Sequence, residues 1–176
     1  MPLHPFSDDI VFLDAEFTSL DPYTGEILSV ALVKPDGSEL YLEIDRDPGT
    51  LSPWVAEHVL PFLDGPRVAP DDAVIRIRDF VGADEPFPVS FVTPYDTVFL
   101  RKLVPESAWP FRRYPIDFAA LLFASGLDPA NLLENDRILS EKIGVAPSEH
   151  RRMHHALNDA QLLRDAYGKF FRYLAD

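Results

Sequence analysis

The stretch Ile10-Val11-Phe12-Leu13-Asp14-Ala15-Glu16 constrains this chain more than any other. Its apolar start reads as a buried strand. Side chains alternate across a strand, so Asp14 and Glu16 emerge on the same face. Two carboxylates that close repel each other, and one pKa rises unless a cation lies between them. Taking them out of water costs further free energy unless they are compensated. The fold must therefore bury this strand and still leave its acidic end compensated by something cationic.

Composition narrows the class. A chain of 176 residues, 47% hydrophobic and 12% aromatic, is expected to form a single domain over residues 1–176. With no cysteine, disulfides and thiolate metal sites are excluded, and a reducing compartment is expected. The N-terminal residues lack the basic-then-apolar pattern of a signal peptide, and no apolar stretch is long enough to cross a bilayer. The expectation is a cytoplasmic protein without membrane contact. A net charge of −13 argues against a general nucleic-acid binder, which needs basic surface to offset phosphate. It does not exclude an enzyme that grips a few nucleotides and whose acids are partly neutralised by metal.

Periodicity predicts strands from Ile10 to Glu16, Glu26 to Lys34 and Glu39 to Ile44, the last two joined at Pro35-Asp36-Gly37 as a hairpin. Ser52-Pro53 opens a helix towards Leu63, and a second starts at Asp71 or Asp72. Pro88 to Val92 is a short strand with a helix from Asp96 to Val104 behind it, and Tyr114 to Asp117 a further strand before the apolar Phe118 to Ala124. Asn131 to Ile143 is a helix stopped by Gly144, and His155 to Leu174 a long amphipathic one. Three antiparallel strands followed by alternating helices and strands make an α/β fold with one mixed sheet flanked by helices.

Further acids and a histidine stand in comparable settings. Asp96 lies in Tyr95-Asp96-Thr97-Val98-Phe99-Leu100, and Asp159 in His154-His155-Ala156-Leu157-Asn158-Asp159-Ala160. Carboxylates that hold paired divalent metals are the equipment of nucleases and polymerases.

Asp14-Ala15-Glu16-Phe17-Thr18-Ser19-Leu20, followed by Gly25-Glu26-Ile27-Leu28-Ser29-Val30, resembles the first motif of the DEDD 3′–5′ exonuclease superfamily. Asp96 with Phe99-Leu100 resembles the second, and His154-x-Ala156-x-x-Asp159-Ala160 the third in its histidine-type branch, oligoribonuclease-like members included. The motifs occur in order and span nearly the whole chain. The resemblance implies a ribonuclease-H-like fold and a hydrolase in which Asp14, Glu16, Asp96 and Asp159 hold two Mg²⁺ or Mn²⁺ ions, hard cations suited to oxygen ligands. His154 would be the base, its ordinary pKa near ~6.5 fitting that role. The products would be nucleoside 5′-monophosphates released from nucleic-acid 3′ ends. Phe17, Thr18 and Leu20 are the substrate-binding candidates, with Leu20 either wedged against a base or simply packed.

The register of the base is open at this level. The histidine branch places it five residues before the last acid, at His154, and the tyrosine branch four before, at His155. Phe17 and Ser19 replace the commoner Thr and Gly, and Pro94 the usual small residue, which moves the expected helix start. Asp117 reads as a helix cap rather than a fifth ligand. Arg101-Lys102, Arg112-Arg113 and Arg151-Arg152 read as solvated surface, with Arg151-Arg152 placed to meet phosphates. The aromatic face of Tyr167, Phe170, Phe171 and Tyr173 reads as core, or as the interface of a homodimer. The expected substrate is short or single-stranded RNA. The rivals are a DNA-directed proofreading or repair exonuclease, a phosphodiesterase acting on dinucleotides or caps, and a non-catalytic nucleic-acid-binding domain of the same fold.

Overall fold

The computed structural model describes residues 9–45, 51–129, 144 and 154–175. A six-stranded mixed sheet runs in the order β4-β3-β2-β1-β5-β6. Its strands are β1 (Ile10–Phe17), β2 (Ile27–Val33), β3 (Glu39–Ile44), β4 (Arg67–Val68), β5 (Phe87–Ser90) and β6 (Ile116–Asp117). β1, β2 and β3 pair antiparallel, while β5 joins β1, β6 joins β5 and β4 joins β3 in parallel. The helices are α1 (Pro53–His58), α2 (Pro70–Val81), α3 (Thr93–Leu103), α4 (Phe118–Ala124) and α5 (Ala156–Ala175). The chain thus has the expected antiparallel start and parallel continuation.

Alternation along β1 sorts the core into two layers. Val11, Leu13 and Ala15 pack with Ala73 and Ile77 of α2 and Phe99 and Leu100 of α3. Phe12 packs on the opposite face with Phe118 and Leu122 of α4 and with Ala160, Leu163, Tyr167 and Phe170 of α5. Tyr167 and Phe170 are 3% and 1% exposed, so these two rings of the aromatic face are core, with the half-buried Phe171 packed against them. Among the described residues no helix is long and apolar enough to cross a membrane.

Several boundaries differ from expectation for local reasons. The helix from Ser52 stops at His58, and Leu60–Phe62 continues as a 3-10 turn. Pro61 has no N–H with which to continue an α-helical ladder there. The helix carrying Asp96 begins a turn earlier, at Thr93, because Pro94 fits the first turn, where no N–H is needed. The expected strand at Pro88 to Val92 shifts to Phe87–Ser90, that at Tyr114 shortens to Ile116–Asp117, and the two-residue β4 is too short to show a pattern. The helix expected from Asn131 to Ile143 and the pair Arg151-Arg152 lie outside the described residues.

Candidate active site

β1 carries the site at its C-terminal end. Asp14, Glu16 and Asp159 bring one carboxylate oxygen each within 4.8 Å of one another, uniting the first and third candidate segments across 143 positions of sequence separation, from 16 to 159. α5 makes this possible by lying across β1, β2 and β3 with Asp159 in its first turn. Asp96 is not part of that cluster. Its carboxylate is 6% exposed, and Oδ1 accepts a hydrogen bond from the Ala15 N–H, between the two β1 acids, at 3.2 Å.

The charge is crowded, with Glu16 and Asp96 buried and Asp14 and Asp159 half-buried. Burial, with the neighbouring Asp159 and Asp96 charges, pushes the Glu16 carboxyl from 4.5 up to about 8. Burial also raises Asp96, against the Ala15 hydrogen bond that lowers it. Oxygen donors alone, gathered at this spacing and carrying more negative charge than burial tolerates, fit a hard divalent cation.

A cleft of about 520 Å³ opens beside the acids, lined by Glu16, Phe17, Leu20, Trp54 and His154 among others. Its two sides are fastened to each other. Thr18 is 2% exposed, its hydroxyl accepts from the Glu26 N–H at 3.0 Å, and its carbonyl accepts from the Ser52 N–H at 3.2 Å. Ser52 then caps α1, accepting from the Val55 N–H at 3.2 Å. Thr18 therefore ties the loop after β1 to the helix that carries Trp54, and it is not among the residues lining the cleft. Leu20 stands 61% exposed on that loop, and Phe17 stacks on Phe99 with ring centres 4.2 Å apart.

The loop from Thr18 to Glu26 is firmly built. Asp21 accepts from the Tyr23 N–H and the Thr24 hydroxyl at 2.9 and 2.8 Å, while Lys102 donates to the Gly25 carbonyl and pairs with Glu26. A Cβ on Gly25 would come 2.5 Å from the Ser19 carbonyl oxygen, so only glycine allows this approach.

The adjacent histidines are separated by the fold. His154 lines the cleft, its ring meeting Trp54 edge-on at 4.7 Å and its N–H donating to Asp159 Oδ2 at 3.0 Å. His155 is 8% exposed and stacks on Tyr41, away from the cleft lining. Asp117 caps α4 through Ala120 N–H at 2.7 Å and also accepts from Thr93 N–H at 3.1 Å, joining the starts of α4 and α3. Two residues escaped the sequence reading. Trp54 gave only the weak signal of a bulky ring just inside a helix start, and Glu43, a 2% exposed acid on β3, gave none beyond strand alternation.

Comparison with solved structures finds this arrangement of strands and helices elsewhere. One match is the nuclease domain of 3′hExo, a DEDDh family member solved bound to rAMP, with TM-score 0.67, 16% identity, and coverage of 94% of this chain and 92% of that one. The chain has the ribonuclease-H-like fold of the DEDDh nucleases. A second match is the zinc-bound E. coli ExoI–single-stranded DNA complex, with TM-score 0.64 and 14% identity. It covers 93% of this chain but only 40% of ExoI. No family model and no curated protein matches the sequence. Within this fold, the candidate motifs fall on the end of β1, the first turn of α3 and the first turn of α5.

Proposed function

We propose that residues 1–176 form a single 3′–5′ exonuclease domain that removes nucleoside 5′-monophosphates from short or single-stranded RNA. The observation that carries this reading is the convergence of Asp14, Glu16 and Asp159 within 4.8 Å beside a cleft that also receives His154. With Asp96, these acids would hold two divalent ions, Mg²⁺ or Mn²⁺. Bound there, such ions supply a water of lowered pKa and positive charge for the departing 3′ oxygen.

The remaining steps belong to the chain's own side chains. His154 takes the proton of the attacking water on its imidazole as oxygen bonds to phosphorus and the bond to the 3′ oxygen breaks. Leu20 and Trp54, both exposed on the cleft, receive the terminal base on apolar surface that accepts any base. Phe17, backed by Phe99, shapes the cleft beneath them, and Thr18 acts by holding Leu20 and α1 in register. The cleft volume lies within the range of small-ligand sites. That size and the acidic balance of the chain favour short ends over long duplexes.

Two observations pull the sugar preference in different directions: 3′hExo is bound to rAMP, ExoI to single-stranded DNA. RNA is the reading adopted, because the match to 3′hExo covers nearly all of both chains. Incubating 5′-labelled RNA and DNA oligomers of matched sequence with Mn²⁺ tests it. Stepwise shortening with mononucleotide release, faster on RNA, is expected. Faster DNA cleavage transfers the assignment to a DNA exonuclease, and no cleavage of either removes the enzymatic reading.

A further inference from the structure

His155 is buried beside the site, packed ring to ring rather than held through its Nδ1. Its Nδ1 meets no hydrogen-bond partner among the described residues, while its ring lies 4.7 Å from Tyr41, inclined by 25°. Tyr41 is itself clamped. Its hydroxyl donates to Glu43 Oε1 at 3.0 Å, and the same oxygen accepts from the Gly65 N–H at 2.6 Å. Gly65 closes the package, since a Cβ there would come 3.0 Å from Glu43 Oε1 and 3.1 Å from the Tyr41 ring. Glu43, Tyr41 and His155 therefore form a fixed stack between β3 and the start of α5.

What hangs from that stack is half of the site. The His155 carbonyl accepts from the Asp159 N–H at 3.1 Å, which starts the first turn of α5. His154, one residue before, sits at φ +60°, a left-handed backbone that a non-glycine residue holds only when its surroundings over-determine it. Its N–H donates to Asp159 Oδ2. Any shift of His155 would thus move His154 and Asp159 together.

Resting on the exonuclease reading above, we propose that His155 is a positioning residue. Stacked on Tyr41, its ring sets the placement of His154 and Asp159, and it serves as an aromatic slab rather than an acid–base group. Tyr41 and Glu43 belong to the same device.

The full chain carrying His155→Phe, His155→Ala, Tyr41→Leu or the pair His155→Ala/Tyr41→Leu tests this. kcat/KM, its pH profile on an RNA oligomer, and Mn²⁺ affinity by electron paramagnetic resonance are read well below each variant's Tm. His155→Phe is expected within about threefold of the parent in kcat/KM and Mn²⁺ affinity, with an unchanged pH profile. His155→Ala is expected to lose about 10-fold or more in both, as loss of a ligand-orienting group does. Tyr41→Leu should match it, and the pair should be no worse than either alone. Should His155→Ala not fold, His155→Phe and Tyr41→Leu still decide. A His155→Phe protein as impaired as His155→Ala overturns the proposal, and so does a folded His155→Ala or Tyr41→Leu protein that keeps parental activity and Mn²⁺ affinity. If the parent cleaves nothing, the exonuclease reading fails instead, while the Mn²⁺ titrations still report on Asp159.

Discussion

The two faces of β1 do opposite things with the same seven peptide units. On one, Val11, Leu13 and Ala15 are buried among α2 and α3, and nothing polar interrupts them. On the other, Phe12 is buried against α4 and α5, but the next positions are Asp14 and Glu16, crowded by Asp159 and Asp96. The first face gains from burial. The second spends part of that gain on carboxylates that would be better hydrated elsewhere. A strand anchored on one side can hold strained charge on the other, and the difference separates what keeps the chain folded from what it does.

Substitutions on each face should separate these roles. Asp14→Ala or Glu16→Ala should lower the rate of mononucleotide release about 10³-fold or more, since metal ligation is lost. The fold should survive, and circular dichroism with a kinetic assay checks both. Leu13→Ala, on the opposite face, should cost about 3 kcal/mol in urea unfolding as a core truncation. Its remaining folded fraction should keep the parental catalytic rate. Equal losses of activity and stability from both faces would erase the distinction.

Acidity offers a finer cut. The Glu16 carboxyl is raised from 4.5 to about 8 by burial and its acidic neighbours, so the metal-free folded state binds a proton that the unfolded chain has released. Stability of the metal-free protein should therefore fall as pH rises from about 4.5 to about 8. Thermal unfolding in a chelator should show this fall, and Glu16→Gln should flatten it, with a Tm higher than the parent's by a few degrees, roughly, at pH 8. Divalent ions should reverse the slope. The smallest effect is expected at the rim, where Leu20→Ala should raise KM about threefold and leave kcat nearly intact, as loss of one apolar base contact does.

The acid pair on β1 was legible because strand periodicity alone places Asp14 and Glu16 together, and apolar neighbours make their exposure implausible. The mixed sheet followed from the hairpin signal at Pro35-Asp36-Gly37 and the order of the segments. Contacts that depend on distant packing were not legible. Nothing in the neighbourhood of Asp96 indicates that it would accept from the Ala15 N–H, because that bond exists only once α3 docks on β1. Thr18 read as a substrate contact, and the fold instead buries it as a fastener between the loop and α1. The two histidines were ambiguous in register because one residue of helix phase separates them. It takes the Tyr41 stack to turn His155 inward and leave His154 on the cleft. Trp54 was missed for the same reason, since its place depends on Ser52 reaching Thr18 across the molecule.

The account stands on the acid end of β1 being a divalent-metal centre. Titrating the chelator-treated protein with Mn²⁺ and following free ion by electron paramagnetic resonance measures that directly. Saturable binding of two ions per chain, reduced or abolished in Asp14→Ala and in Asp159→Ala, is the predicted result. Binding that is absent in the parent, or unchanged by both substitutions, would contradict it.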